Sequence, residues 1–297
     1  MGKIAVIGSL NMDMVITSPK MPLMGETVMG GGFITSPGGK GANQAVAASR
    51  LGGDVAMAGC VGDDAFGDRL LENLRQSGVD VGRVRRLPGV STGVAMIIVV
   101  GGDNTILVDP GANALLTPDM LDEDFIAACD TVMLQLEIPP ETVSRAADIA
   151  RRHGVRVLLN PAPARPLPAG LLAKADVLTP NETECGLMTG AEIASVGDAG
   201  RAIPDLLARG ARNVIVTMGK NGAVYNDGDK IVHCPAPPVK AVDTTAAGDC
   251  FSAAVAVALG EGKSIAEAVG FACRAGALTV QKMGAQASLP WRDDLRS

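Results

Sequence analysis

Five short apolar runs, each closed by a glycine or a polar residue, set the tightest limit on the fold. They are KIAVIG at 3–8, TVMLQLE at 131–137, VRVLLN at 155–160, DVLTPN at 176–181 and NVIVTMG at 213–219. Runs of this length and texture are buried strands that turn at their C-terminal ends. Helical spacing of apolar residues falls between or beside them, at 40–51, 66–76 and 141–153, with DVAMAGCVG at 54–62 as a further strand. Parallel strands joined by crossover helices are the simplest arrangement of that order. A strand and hairpin over 213–234 and two Ala-rich helices, at 246–259 and 264–280, close the chain. The expected fold is α/β, a doubly wound, mostly parallel sheet flanked by helices.

Two stretches break the pattern. Residues 11–36 and 91–109, the second centred on GGDN, are short alternating pieces rich in Gly, Pro and Met, the texture of hairpins. They are expected to form a small β-sheet lid over one end of a core made of 1–10, 37–90 and 110–297. Ligands of doubly wound sheets bind beyond the carboxyl ends of the strands, so the turns after each run are where chemistry is sought.

Composition removes several classes. Net charge is −6 and aromatics are 2% of the 297 residues, too few stacking platforms for a nucleic-acid reader. No apolar run approaches the roughly 18 residues of a membrane helix, and Ile4–Ile7 falls short of a secretory signal. A cytoplasmic location is the expectation. The six cysteines show no C-x-x-C pair and read as reduced, mostly buried thiols. With only His153 and His233, a His/Cys zinc site is set aside.

Two motif matches fail on context. GVSTG at 89–93 has the G-x-S-x-G form, but Ser91 enters a strand rather than leaving one for a helix. GEGKS at 260–264 follows an Ala-rich helix and lacks the first P-loop glycine; Gly260 and Gly262 end one helix while Ser264 and Glu267 box the start of the next.

Three segments carry chemistry together. SPGGKGANQA at 36–45 runs a glycine-crowded turn into a helix start, offering free N–H donors, with Lys40 and Asn43 adding side-chain reach. GSLNMD at 8–13 follows the first strand; it suits either a polar turn with an Asx cap or a hydroxyl-binding site, in which Asn11 can donate and accept and a carboxylate such as Asp13 can take two adjacent sugar hydroxyls. AVDTTAAGDCF at 241–251 sets small residues before Asp249 at the head of an apolar helix, so the N–H groups of 246–249 can converge on an anion with Asp249 suited to take an alcohol proton; as a lone residue Asp249 also suits a first-turn charge on the helix dipole. Asn181 and Glu184, three apart, suit either hydrated Mg²⁺ or a capped helix start. VTMGKNGAV at 216–224 suits either an adenine edge or a plain hairpin turn.

In this order, GSLNMD, GGKGANQA, NPAP, NETE, TMGKNG, DTTAAGD and GAQASLP resemble the ribokinase branch of the PfkB carbohydrate kinase family over nearly the whole chain. The resemblance implies ATP-dependent phosphorylation of the ribose 5-hydroxyl, with Asp249 as base and Ala246, Ala247 and Gly248 completing an anion hole. It implies sugar contacts from Asn11, Met12, Asp13, Gly39, Lys40, Gly41, Ala42, Asn43 and Glu137. Nucleotide contacts are implied for Asn181, Thr217, Met218, Gly219, Lys220, Asn221, Gly222, Gly248 and Cys273, and a magnesium link for Glu184. A potassium site is implied at Asp243, Thr245, Thr279, Lys282, Gly284 and Ser288, partly through carbonyls. It also implies a homodimer formed through the lid. Cys250, Ser252 and Cys273 depart from residues common in relatives. The open alternatives are a kinase for deoxyribose, fructose or a nucleoside, and a non-catalytic sugar sensor.

Overall fold

The computed structural model describes residues 2–168 and 170–296. Met1 and Ser297, at the ends of the expected core, and Ala169, inside the expected break at 161–170, lie outside the described residues.

In chain order the elements are β1 (Lys3–Ile7), β2 (Asn11–Thr17), β3 (Gly31–Gly38), α1 (Lys40–Arg50), β4 (Asp54–Gly62), α2 (Ala65–Gln76), β5 (Asp80–Leu87), β6 (Gly93–Val100) and β7 (Asp103–Asp109). There follow α3 (Glu123–Ala127), β8 (Thr131–Leu134), α4 (Pro140–Arg152), β9 (Arg156–Leu159), β10 (Val177–Leu178), α5 (Glu182–Thr189) and α6 (Val196–Ala208). The last are β11 (Asn213–Thr217), β12 (Ala223–Asp227), β13 (Lys230–Cys234), α7 (Ala247–Gly260) and α8 (Ile265–Thr279).

The large sheet has nine strands in the order β13-β12-β11-β10-β9-β8-β1-β4-β5, parallel except for the β11-β12-β13 meander. Strand alternation shows why it is covered twice. Ile4 and Val6 of β1, Met133 of β8, Leu158 of β9 and Ile215 of β11 join a core shared with α1, α7 and α8. Their neighbours Ala5, Ile7, Val132, Leu134, Val157, Leu159, Val214 and Val216 point the other way, into a core shared with α4 and α6. Successive side chains leave a strand on opposite faces, so uninterrupted apolar runs require helices on both sides. Helix α7 is buried nearly all round, and its alanines let it pass close to α1 and α8.

The second sheet has four strands in the order β3-β2-β6-β7. Each expected hairpin forms an antiparallel pair, and β2 joins β6 in parallel. The turn reading of Ser91 holds, and Ser264 with Glu267 forms the capping box of α8. Strand β5 is an addition to the sequence reading. Its sequence DVGRVRRL is charged and mostly exposed, and it pairs only with β4 at the sheet edge.

The chain runs from β1 to β4 and β5 on one side, then returns to β8 on the other side of β1. The strand order therefore reverses between β1 and β8, and a crevice opens beyond their carboxyl ends. The lid is rooted there, because β2 begins only four residues after β1 ends.

Candidate active site

Ser9 spans the crevice. Its hydroxyl donates to Glu137 Oε2 at 2.6 Å, and the same oxygen accepts the Lys40 N–H at 3.0 Å, so the segments after β1 and β8 meet the start of α1. The backbones approach so closely that a Cβ on Gly39 would lie 2.7 Å from the Asn11 nitrogen; Gly39 also holds φ 87°, a conformation suited to glycine. Asn113 pins the root of β2. It bonds both backbone groups of Leu10 and donates to Asn11 Oδ1 at 2.8 Å.

Period-two alternation sorts β2. Asn11 and Asp13 face the crevice side, whereas Met12 lies in the core with no exposed surface. Met12 is thus corrected from the expected sugar contacts as far as its side chain is concerned. The same holds for Ala42, turned into the core by α1, and for Met218 on the nucleotide side.

Asp249, in the first turn of α7, is buried between two amides. Asn43 donates to its Oδ2 at 2.9 Å and Gln44 to its Oδ1 at 3.1 Å. Burial raises its pKa, opposed by the nearby Lys40 ammonium and then by the two amides. Burial also pushes Asp13 up to about 7, helped by the like charges of Glu137 and Asp249 and resisted by Lys40. Burial pulls Lys40 down, but the fields of Asp249, Glu137, Glu184 and Asp13 together lift it above the ordinary lysine value. One cation thus faces four carboxylates, and at least one of those carboxylates titrates near neutrality. Two carboxyl groups pushed apart from their usual range beside an ammonium are the equipment of proton transfer.

The start of α7 has unusual backbone. Ala246 holds φ 60°, the only non-glycine with positive φ among the described residues, at a cost of about 1 kcal/mol. Helix geometry leaves the first N–H groups unpartnered within the helix. That of Ala247 turns back to the Thr244 carbonyl at 3.3 Å, and a Cβ on Gly248 would meet open space. Of the expected anion hole, the Ala247 N–H is thus engaged, while those of Ala246 and Gly248 have no backbone partner among the described residues, at a dipole end that favours anions.

The residues that the resemblance implies for the nucleotide gather beyond β10 and β11. Asn181 caps α5 and bridges to Thr217, whose N–H donates to the Pro180 carbonyl at 2.8 Å. The capping reading of Asn181 holds: Glu184 N–H donates to Asn181 Oδ1, and Glu184 Oε2 accepts the Asn181 N–H. Burial raises Glu184, which also sits in the fields of Lys40 and Asp249. Gly219, Lys220 and Asn221 are exposed on the turn, and Gly222 lies against the Cys234 carbonyl, where a Cβ would come within 2.1 Å. Cys273 of α8 packs beside it, its Sγ 3.9 Å from that carbonyl oxygen. The six potassium candidates lie on two segments stitched by Asp243. Its carboxylate accepts from Thr245 and from Gly284 N–H, and its own N–H donates to the Val280 carbonyl. The Thr279 and Ser288 hydroxyls donate back to Ala275 and Ala285.

A cavity of about 330 Å³ lies where the lid meets the core, lined by Asn11, Val108, Asn113, Glu137, Ile138 and Arg165. Sequence reasoning missed Ser9 as a bridge, Asn113, and the buried amides Gln44, Gln135 and Asn160. Ser9 and Gln44 lie inside motifs already singled out; a lone Asn113 in GANAL gives no signal.

Crevice, proton-transfer cluster and anion-binding helix start define a group-transfer site on a doubly wound sheet. A model of the pfkB family of carbohydrate kinases matches residues 1–292, and the chain belongs to this family. It is 45% identical to the ribokinase of Bacillus subtilis, over 99% of this chain and 98% of that protein. It is also 40% identical to the deoxyribokinase of Salmonella typhi, over 97% and 95%. Among solved structures, the ribokinase of Arabidopsis thaliana complexed with ribose and ATP superposes with a TM-score of 0.93 at 34% identity, covering 99% of this chain and 97% of that one.

Proposed function

We propose that this chain transfers the γ-phosphoryl group of ATP to the 5-hydroxyl of D-ribose, giving ribose 5-phosphate. The observation that carries this reading is the buried Asp249 carboxylate at the head of α7, beside an anion-binding helix start and facing Lys40, Asn43 and Asp13 across the crevice. The likeness to named ribokinases over full length supports the sugar.

Asp13, Asn11, Asn43 and Glu137 hold the sugar hydroxyls. Asp13 serves as acceptor in its ionised form, and the Asn43 Oδ1 atom, buried and without a protein partner among the described residues, accepts a hydroxyl. Asp249 takes the 5-hydroxyl proton as the oxygen attacks. The outward N–H groups at Gly248 and Asp249, with Lys40, stabilise the charge on the transferring group. Asn181, Thr217 to Gly222 and Cys273 hold the nucleotide through a largely backbone surface.

Magnesium fits as a hydrated ion, because an ion that keeps its waters needs only one or two carboxylates and Glu184 is a buried carboxylate near Lys40 and Asp249. Bound there it would neutralise phosphate charge. Potassium fits the 243–245 and 279–288 cluster, an oxygen-rich pair of loops already tied through Asp243. The lid sheet exposes apolar side chains on both faces, Ile34 and Ile106 on one and Phe33, Met96 and Leu107 on the other, where they are 57%, 52% and 71% exposed and form a face suited to self-association. A homodimer through this face, with closure that excludes water from the crevice, completes the reading.

The likeness to deoxyribokinases favours 2-deoxyribose as a second reading. One assay separates the readings: ADP release from MgATP with ribose, deoxyribose, fructose or adenosine, each in potassium or sodium. Ribose-dependent, potassium-stimulated turnover is expected. Turnover only with deoxyribose moves the specificity, and no turnover with any acceptor favours a sugar sensor.

A further inference from the structure

Beneath Asp249 lies a tier of buried amides that the reading above does not use. Gln44 Nε2 donates both to Asp249 Oδ1, at 3.1 Å, and to Asn160 Oδ1, at 3.0 Å. Gln44 Oε1 accepts from Gln135 Nε2 at 2.6 Å, and Asn160 Nδ2 donates to the Thr179 carbonyl at 2.9 Å. Gln44 and Gln135 have no exposed surface, and Asn160 is 5% exposed. Gln135, Asn160 and Thr179 each follow directly on β8, β9 or β10, so adjacent parallel strands present one polar residue apiece to the same layer.

The directions of these bonds matter. Every polar atom of Gln44 is engaged, so its amide cannot flip without setting a carbonyl against a carboxylate and an N–H₂ group against another donor. Gln135 secures that orientation, while its own Oε1 stays buried without a partner among the described residues. A buried, unpartnered acceptor costs free energy, so the tier is not optimised for stability alone.

We propose that Gln44 is a positioning residue for phosphoryl transfer: its locked amide fixes the Asp249 carboxylate so that a free lone pair points at the sugar hydroxyl. Asn43 holds the other oxygen from the sugar side, whereas Gln44 works from below and touches no substrate. Gln135 and Asn160 act one step further back by holding Gln44. The groups that set the field at Asp249 are Lys40 on α1, Glu137 after β8, Asp13 on β2, Glu184 on α5 and the Cys250 thiol beside it. None of them is altered by changing Gln44 to leucine.

The inference rests on Asp249 acting as the base, so the test reads Asp249 with and without turnover. The carboxyl of Asp249 is titrated by difference infrared spectroscopy in the parent and in Q44L, with D249N identifying its band, and kcat and KM for ribose are followed against pH. In Q44L the Asp249 midpoint is expected to rise by about one pH unit, as loss of a hydrogen bond to a buried charge implies. The acid limb of kcat should move with it, kcat at neutral pH should fall about tenfold, and ribose KM should stay within about twofold. Q135L should move both midpoints the same way by less. An Asp249 midpoint in Q44L that coincides with the parent's, in protein melting as a single folded species, overturns the proposal. So does a Q44L defect confined to KM. A shifted midpoint in a parent that phosphorylates no sugar would leave the positioning role standing and bring down the assigned reaction.

Discussion

The two halves of the site are built from different materials. The proposed sugar side consists of side chains drawn from lid and core: the buried Asp13, Asn43 and Asp249 and the half-buried Glu137 converge from β2, α1, α7 and the end of β8, and share hydrogen bonds or fields with one another. The proposed nucleotide side consists largely of backbone on two turns, Gly219 to Gly222 and Thr244 to Gly248, where Lys220, Asn221, Thr244 and Thr245 are exposed while Gly222 is buried. A side-chain site reads hydroxyl patterns and is intolerant of change, while a backbone site recognises a constant ligand and tolerates varied side chains. Of the departures from residues common in relatives, Cys273 lies beside the Cys234 carbonyl, while Cys250 and Ser252 lie behind Asp249 on α7, with Ser252 Oγ 2.9 Å from Thr179 Oγ1.

The largest effect should come from the centre of the buried half. D249N keeps the size and the burial but removes the base, so kcat should fall by about 10²–10⁴-fold while ribose binding by calorimetry persists. Near-normal turnover in D249N would remove Asp249 from the mechanism.

Asp13 comes next and carries a pH dependence. Its folded pKa of about 7 lies above the ordinary 3.8, so its neutral form is favoured by folding; the associated stability is present at low pH and lost as pH rises through about 7. The sugar needs the ionised form, so kcat/KM for ribose should climb with pH through the same range. D13N should lower kcat/KM by roughly ten- to a hundredfold and flatten that limb. It should also raise the melting temperature at pH 8 more than at pH 5. A melting temperature lowered equally at both would show that Asp13 is structural.

On the nucleotide side, G222A should act through the backbone. Its Cβ would sit 2.1 Å from the Cys234 carbonyl oxygen at φ 90°, so a loss of about 1–3 kcal/mol in chemical denaturation is expected, with a raised KM for ATP. K220A, on the exposed part of the same turn, should change stability by no more than about 0.5 kcal/mol and leave KM for ATP within about threefold. A large K220A effect would erase the contrast between the two halves.

Much of this was legible in the chain. The apolar runs starting at residues 3, 131, 155, 176 and 213 became β1, β8, β9, β10 and β11, and the helices at 40–51, 66–76 and 141–153 appear within a residue or two. Strand β10 spans only Val177–Leu178: the Thr179 N–H still donates to the Leu159 carbonyl at 3.0 Å, but Pro180 has no N–H to continue the ladder. Strand β5 escaped because an edge strand can be charged and exposed, and α6 because Gly197, Gly200 and Pro204 disguise its spacing. In the site, Met12 and Ala42 were read as contacts because motif membership carries no information about which face a residue takes.

Sequence alone determined the layered α/β architecture and the motifs that carry chemistry, because hydrophobic period, glycine placement and helix caps are local and act within a few residues. Only the tertiary structure decided that Asn43 and Gln44 would meet Asp249, separated by 206 and 205 residues, and that Ser9 would reach Glu137 across 128. Those encounters depend on strand order and on the reversal between β1 and β8. The shifted ionisation of Asp13 and Lys40 follows from them, because burial and field are properties of assembled surroundings and not of a residue's neighbours in the chain.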